Sequence, residues 1–319
     1  MSLRRFILKR VLLVFPILLG VSIVTFSLVK LTPGNPVQVA IGLNPDMGPQ
    51  EIARLKQRYG LTQPAWKQYL NWLGDIVLHG DFGSTYGARE RAVSDIIANR
   101  LPETVVLGLF GWVFALAIAI PTGIYAAVRK DELGDHVSRF VALAGISLPN
   151  FWLGLMLILV FALVLNLFPV SAPRKPLWHP ATLWYLLLPG ITIGTASASN
   201  LMRIMRSSMA EEMNKEYVTA ARAKGLPERT VVLKHVLRNS LISVTTVAAF
   251  LTAAIVSGSV VVEQVFGWPG LGRELIAAVR NRQVDLILGI TLFTGVAIIL
   301  ANLLADILYA VLDPRIRYD

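Results

Sequence analysis

Cysteine is absent from the 319 residues. This excludes disulfides, thiolate metal sites and cysteine nucleophiles, and leaves the compartment open. Charge is scarce as well. Asp, Glu, Lys and Arg make up 16% of the chain, against about 25% in a soluble globular domain. There is no G-x-x-x-x-G-K-[ST] phosphate loop, so the chain does not bind ATP in that manner. Neither a nucleophile elbow nor an H-E-x-x-H pair occurs. The four histidines, His79, His136, His179 and His235, are scattered without metal-ligand spacing. Catalysis and resident metal chemistry therefore have no residue constellation to rest on.

What is present is apolar. Hydrophobic residues make up 55% of the chain and mean hydropathy is +0.60. Uncharged runs cover Val11–Val29, Val105–Val128, Phe140–Val170, Ala181–Met202, Ser240–Val262 and Leu286–Ala305. Each meets the roughly 18–20 residues needed to cross about 30 Å of hydrocarbon. The expected fold is thus an all-α integral membrane protein of six transmembrane helices, multi-pass in the cell membrane. The first run starts like a secretory signal, but it is too long for one. No small-x-small cleavage site follows before Pro33-Gly34-Asn35-Pro36, so it reads as a retained helix.

Net charge is +10, which in a soluble chain would suggest nucleic acid. Here topology accounts for it, because Lys and Arg collect in cytoplasmic loops. Arg4, Arg5, Lys9 and Arg10 precede the first span. Arg203, Arg206, Lys215, Arg222, Lys224, Arg229, Lys234 and Arg238 lie between the fourth and fifth, and Arg315 and Arg317 follow the sixth. With six spans these clusters share one side, so both termini are expected in the cytoplasm and no nucleic-acid partner is expected. Arg174 and Lys175 are the only bases just after the third span, and Asp131, Glu132 and Asp135 offset those of Arg129–Arg139.

The expected organisation is a first transmembrane helix over 1–31, an extracytoplasmic helical insertion over 32–100 and a five-helix core over 101–319. Within the insertion, turn-rich Thr32–Pro49 leads to a short helix with Pro49 in its first turn and Gly60 at its stop. Ile52, Leu55 and Tyr59 share one face of it. A second helix from Pro64 places Trp66, Leu70, Leu73 and Val77 at helical spacing, and a third piece carries Val93, Ile96, Ile97 and Leu101. These stripes are expected to pack on the outer mouth of the membrane helices. A lipid-surface helix is disfavoured because basic residues do not fill the opposite faces.

Pro121 and Pro149 interrupt spans two and three, as a fixed bend or as a hinge. Ionisable residues within spans are few. Asp306 lies within about two turns of Arg315 and Arg317, which suggests a structural ion pair or interfacial exposure. Glu263 sits at the outer end of span five. A secondary transporter would want mid-membrane acids and an internal repeat, and neither is seen. Thr195–Asn200 are small and polar, as pathway linings and helix contacts both are.

The segment from about 207 to 238 is a polar, helix-forming island between two spans. Met213, Tyr217, Ala220 and Lys224 fall at helical spacing. Ala220, Ala221 and Ala223 give high helix propensity with little bulk. Gly225 is placed as a left-handed helix stop and Pro227 as the start of a new helix. The residues alone leave three readings open: a docking surface, a solvated linker, and a helix lying on anionic lipid.

Thr219-Ala-Ala-Arg-Ala-Lys-Gly225 followed by Leu237-Arg238-Asn239 resembles the EAA loop of binding-protein-dependent ABC importers, E-A-A-x3-G-x9-I-x-L-P. Thr219 stands for the Glu, His235 for the Ile and Arg238 for the Pro. These departures resemble the dipeptide/oligopeptide/nickel branch. So do Leu31-Thr-Pro-Gly-Asn-Pro36, Tyr59-Gly-Leu-Thr-Gln-Pro64 with Gln68-Tyr69, Gly80-Asp-Phe-Gly83, Arg100-Leu-Pro-Glu-Thr104, Glu263-Gln-Val-Phe-Gly-Trp-Pro-Gly-Leu-Gly272, Asn302-Leu-Leu-Ala-Asp306 and Asp313-Pro-Arg-Ile-Arg317.

The resemblance implies a type I ABC importer permease, the first of two paired permeases, which moves dipeptides or oligopeptides. The same machinery in the branch also serves nickel chelates or oligosaccharides. The implied partners are a homologous second permease, two cytoplasmic ATPase subunits, an extracytoplasmic substrate-binding protein and the lipid bilayer. ATP and Mg would be bound by the ATPases, with no cofactor in this chain and no catalysis by it. The coupling residues implied are Glu216, Tyr217, Thr219, Ala220, Ala221, Arg222, Ala223, Lys224, Gly225 and Leu226. No substrate ligand is implied.

Overall fold

The structure is a computed structural model that describes residues 3–31, 37, 41, 47–58, 60–86, 90–171, 176–251 and 260–312. Helix α1 is Leu3–Leu31, α2 Pro49–Arg58, and α3 Ala65–Gly74, which continues as a π-helical turn over Asp75–His79. Next come α4 (Val93–Val128), α5 (Leu133–Ser147), and α6 (Asn150–Leu157) with a π-helical extension over Ile158–Val164. The long α7 is Pro180–Glu212, followed by α8 (Glu216–Ala223). Then α9 (Glu228–Thr230) runs through π-helical Val231–Val236 into α10 (Leu237–Leu251). Last are α11 (Val260–Phe266), α12 (Leu271–Arg280) and α13 (Val284–Leu312).

Among the described residues, four helices are long and apolar enough to cross a membrane: Leu8–Leu31, Val93–Val128, Pro180–Glu212 and Val284–Ile307. The expected third span is not one straight helix. Leu148 and Pro149 are both extended, at ψ 126° and 134°. A proline pushes the residue before it out of the helical region, and two extended residues in a row redirect the chain. Leu133–Ser147 and Asn150–Val164 consequently meet at 106°. Pro121, by contrast, sits inside an unbroken α4. The expected fifth span, Ser240–Val262, is seen as α10 and the start of α11, and its residues 252–259 lie outside the described ones.

At 36 and 33 residues, α4 and α7 are about 54 and 50 Å long at 1.5 Å per residue. Each protrudes from a hydrocarbon layer of about 30 Å. The stripe Val93, Ile96, Ile97, Leu101 is therefore the first part of α4, not a separate piece, and α4 runs unbroken across the 100/101 boundary. These two helices form the centre of the bundle, and small residues set their distance. A Cβ added to Gly123 would meet Met205 at 2.6 Å, and one on Gly194 would meet the Gly111 carbonyl at 2.5 Å. Such contacts rest on close backbone approach and dispersion.

Apolar clusters close the two ends of α4. At its N-terminal end, Val93, Ile96 and Ile97 pack with Leu271, Leu286 and Ile290. At its C-terminal end, Ala126 and Ala127 pack with Met209, Val218 and Val236. The insertion and the island thus lie at opposite ends of the bundle.

Two motifs 159 residues apart lock the first of these ends. The Glu263 side chain is fully buried. Its carboxylate accepts hydrogen bonds from Thr104 Oγ1 at 2.9 Å and from the Arg273 backbone N–H at 3.0 Å. Thr104 Oγ1 in turn accepts from the Leu271 N–H at 2.8 Å, and Trp268 Nε1 donates to the Glu103 carbonyl at 2.8 Å. Glu263 therefore caps the N-terminus of α12, where a carboxylate meets free N–H groups and the positive end of the helix dipole. A Cβ on Gly270 would meet that carboxylate at 2.5 Å, which explains the glycine of Pro269-Gly270-Leu271-Gly272.

Asp306 does form an ion pair, but with Arg10 of α1 at 2.8 Å. Arg315 and Arg317 lie outside the described residues. The pair joins the first and last membrane helices, which pack against each other.

Candidate functional site: the polar island

The island is two helical arms that meet at a tight turn. Helix α8 follows Lys215, whose backbone is extended and makes no side-chain cap. Glu216 in the first turn and Arg222 in the last both suit the helix dipole. The helix stops where expected. Gly225 has φ +72°, and its N–H bonds to the Arg222 carbonyl at 2.9 Å. A Cβ there would meet nothing within 4 Å, so backbone conformation alone calls for glycine. Pro227 is extended at ψ 138° and caps α9 one residue earlier than the sequence suggests.

The face of α8 that is buried is not the one marked by Tyr217, Ala220 and Lys224. Val218 is fully buried and Ala221 is 6% exposed, packed with Val231, Val232 and Val236. Met213 lies before the break at Asn214–Lys215, so its helical phase does not carry into α8. Of the ten expected coupling residues, Ala221 faces this chain's own core and is not available to a partner. Glu216, Tyr217, Thr219, Ala220, Arg222, Ala223, Lys224, Gly225 and Leu226 are exposed together at the end of the molecule.

Polar contacts hold the arms to each other and to α7. The Tyr217 hydroxyl donates to the Glu212 carboxylate and accepts from Asn239 Nδ2 at 2.8 Å. Asn239 Nδ2 also lies 3.3 Å from the His235 carbonyl. Burial, and next the hydrogen bond to Glu212, push the Tyr217 phenol above its ordinary pKa, so it stays a donor. Arg222 grips Glu228 across the turn through two bonds, of 3.1 and 2.7 Å. That guanidinium holds the Glu228 carboxyl below its ordinary pKa. Arg222 is therefore engaged within the chain. Among the described residues, Lys224, Arg229, Lys234 and Arg238 have no carboxylate at ion-pair distance.

Asp135 was not expected to matter beyond offsetting nearby bases. Its side chain is fully buried at the start of α5, where Arg206 of α7 binds it in two bonds of 2.6 and 2.7 Å. Arg139 adds a contact at 3.5 Å, and the Asp131 N–H donates at 3.0 Å. This brace lies in the part of α7 that leads into the island. Spacing within one helix gives no hint of it, because the partners are 71 residues apart.

Thr195, Ala198 and Ser199 line a mostly apolar cavity of about 360 Å³ between α4, α5 and α7. The same stretch is a close helix contact: a Cβ on Gly145 would meet Ser199 Oγ at 2.2 Å.

A bundle of apolar helices, carrying an exposed polar elbow at one end, defines a multi-pass membrane component. The chain belongs to the family described as the binding-protein-dependent transport system inner membrane component, which matches residues 119–318. Residues 3–108 match the N-terminal part described for the same transport-system membrane component. The chain is a multi-pass protein of the inner membrane, in the dipeptide/oligopeptide/nickel branch of permeases. It is 38% identical to the oligopeptide transport system permease protein AppB of Bacillus subtilis over 316 residues, covering 98% of this chain and 99% of that one. It is 36% identical to the dipeptide transport system permease protein DppB of Escherichia coli K12, with the same coverage. A putative peptide permease protein of Brucella ovis is 39% identical, again over 98% of this chain and 99% of its own length.

Proposed function

We propose that this chain is one of two paired permeases of an ATP-driven importer of dipeptides or oligopeptides, and that the elbow Glu216–Leu226 is where the ATPases engage it. The observation that carries this reading is the elbow itself: exposed on its outer side, buried at Val218 and Ala221 on its inner side, joined to α7 across the short turn at Met213–Lys215, and running without a break from α9 into α10. Such an element transmits displacement instead of absorbing it. Movement of docked ATPases would carry α7 and α10 with it and switch the side on which the bundle opens. ATP hydrolysis and its Mg chemistry belong to the partners.

The topology completes the proposal. Four straight spans, the bent pair α5–α6 and the segment from α10 to α11 together make six, with both termini and the island in the cytoplasm. The insertion then faces the opposite side, where a substrate-binding protein delivers cargo. Residues 1–31, 32–100 and 101–319 are the corresponding functional parts, the second merging into the third within α4.

The peptide cargo rests on the relatives named for oligopeptide and dipeptide transport. Mass spectrometry of the ligand carried by the freshly purified cognate binding protein tests it, together with ATP-dependent uptake of that ligand into proteoliposomes. A short peptide is expected. A sugar or a nickel chelate would sink the peptide assignment while leaving the machinery intact.

A further inference from the structure

The sequence suggests that Trp66, Leu70, Leu73 and Val77 pack against the membrane helices. The structure turns a different side inward. Tyr69 and Trp72 pack on Phe26 of α1, with ring centroids at 5.5 and 5.8 Å. Tyr69 Oη lies 2.8 Å from Ser22 Oγ, and Gln68 accepts a hydrogen bond from Lys30. Trp66, Leu70 and Val77 are left 65%, 56% and 72% exposed on an adjoining edge.

Depth decides what covers that edge. The uncharged run of α1 ends at Lys30, which marks one boundary of the hydrocarbon. At 1.5 Å per residue, Phe26 lies about 6 Å and Ser22 about 12 Å below that level. A helix whose side chains reach those residues is sunk into the leaflet and does not stand above it. The neighbouring surface of α1 is itself apolar and exposed at Ile23, Val24 and Leu28. On the other side of α3, the polar side chains of Gln68, Asn71 and Asp75 line a cavity of about 410 Å³. The helix therefore has a wet edge, an edge docked on α1 and an apolar edge at bilayer depth. The sequence disfavours a lipid-surface helix because its polar side lacks basic residues. Docking on α1, and not charge, is what sets this apolar edge at the depth of about 5–10 Å where interfacial helices lie. Lys67, next to the apolar edge, has a stem long enough to carry its charge up to the headgroups.

We propose that α3 and its π-helical continuation form a membrane-interface helix, and that acyl chains of the leaflet on the insertion's side cover the Trp66–Leu70–Val77 edge. The absence of cysteine makes the test direct. Leu70→Cys and Val77→Cys are compared with Asn71→Cys on the wet edge and Lys56→Cys on α2. Each full-length variant is purified with its co-expressed partner subunits, labelled with an environment-sensitive fluorophore and placed in phosphatidylcholine–phosphatidylglycerol nanodiscs. Lipid nitroxides attached high on the acyl chain should quench Leu70→Cys and Val77→Cys severalfold more than the other two, with iodide showing the reverse order. Equal quenching at all four positions overturns the proposal. So does protection of Leu70→Cys and Val77→Cys from both quenchers, which assigns the edge to a protein partner. Neither result bears on peptide uptake, which is measured separately.

Discussion

Replacing Gly225 isolates the mechanical role of the elbow. The residue sits at φ +72° with open space around its missing Cβ, so a side chain there clashes only with its own backbone. The left-handed conformation costs an ordinary L-residue roughly 1–2 kcal/mol, and a β-branched one more. Against this, burial of Val218 stabilises the arm by about 1.5–3 kcal/mol. The exposed Arg222–Glu228 pair adds only about 0.2–1 kcal/mol. The strain is therefore large enough to deform the turn and too small to detach α8 or unfold the bundle. Gly225→Val should insert and purify normally, with ATP-dependent uptake in proteoliposomes down by at least about 5–30-fold, the ratio that 1–2 kcal/mol represents. Gly225→Asn is the internal control, because asparagine tolerates this conformation, and it should retain most of the uptake. If Gly225→Val transports at the wild-type rate, or if both variants fail alike, turn geometry is not what the ATPases engage.

The adjacent alanines separate packing from docking. Ala221→Leu overpacks a filled core, at a cost of about 1–3 kcal/mol, and should lower thermal stability in detergent. Ala220→Leu, on the exposed side, should leave stability within about 0.5 kcal/mol while weakening co-purification of the ATPases. The opposite pattern would invert the assignment of faces. Arg206→Ala leaves the buried Asp135 carboxylate with only the 3.5 Å contact of Arg139 and the Asp131 N–H, a loss of up to about 3–5 kcal/mol. A severe fall in thermal stability is expected, with Arg206→Lys intermediate because it cannot form the two-pronged contact. An unchanged melting curve for Arg206→Ala would show that the brace carries no load.

What the sequence made legible was local. The apolar runs located four spans because crossing a bilayer demands length and hydropathy, which are read directly from the residues. Gly225 was legible because only a left-handed turn explains a glycine between an alanine-rich arm and a proline. The break at Pro149 was legible in position but not in size, since the 106° angle depends on Leu148 also becoming extended. Helical spacing showed that α3 and α8 each have an apolar side. It did not show which side is buried, because Tyr69 and Trp72, or Val218 and Ala221, lie only a fraction of a turn from the alternatives. Pairing was the least legible. Asp306 has arginines nearby in sequence and bonds to Arg10 instead, and Asp135 with Arg206 and Thr104 with Glu263 are joined by the fold alone.

The same contacts say which parts move together. Gly123 against Met205 and Gly194 against Gly111 bring α4 and α7 to backbone contact, leaving no room for one to slide over the other. Asp135 then ties α5 to α7 below them. Close-packed interfaces of this kind shift between discrete arrangements and do not deform continuously. A displacement applied at Glu216–Leu226 should accordingly move α4, α5 and α7 as one body. The extended residues Leu148 and Pro149 lie at the edge of that body, because no helical hydrogen bond crosses from α5 into α6. A change of angle between α5 and α6 at this joint would have to overcome the packing of Leu157 and Ile158 against Leu107 of α4 and Leu186 of α7.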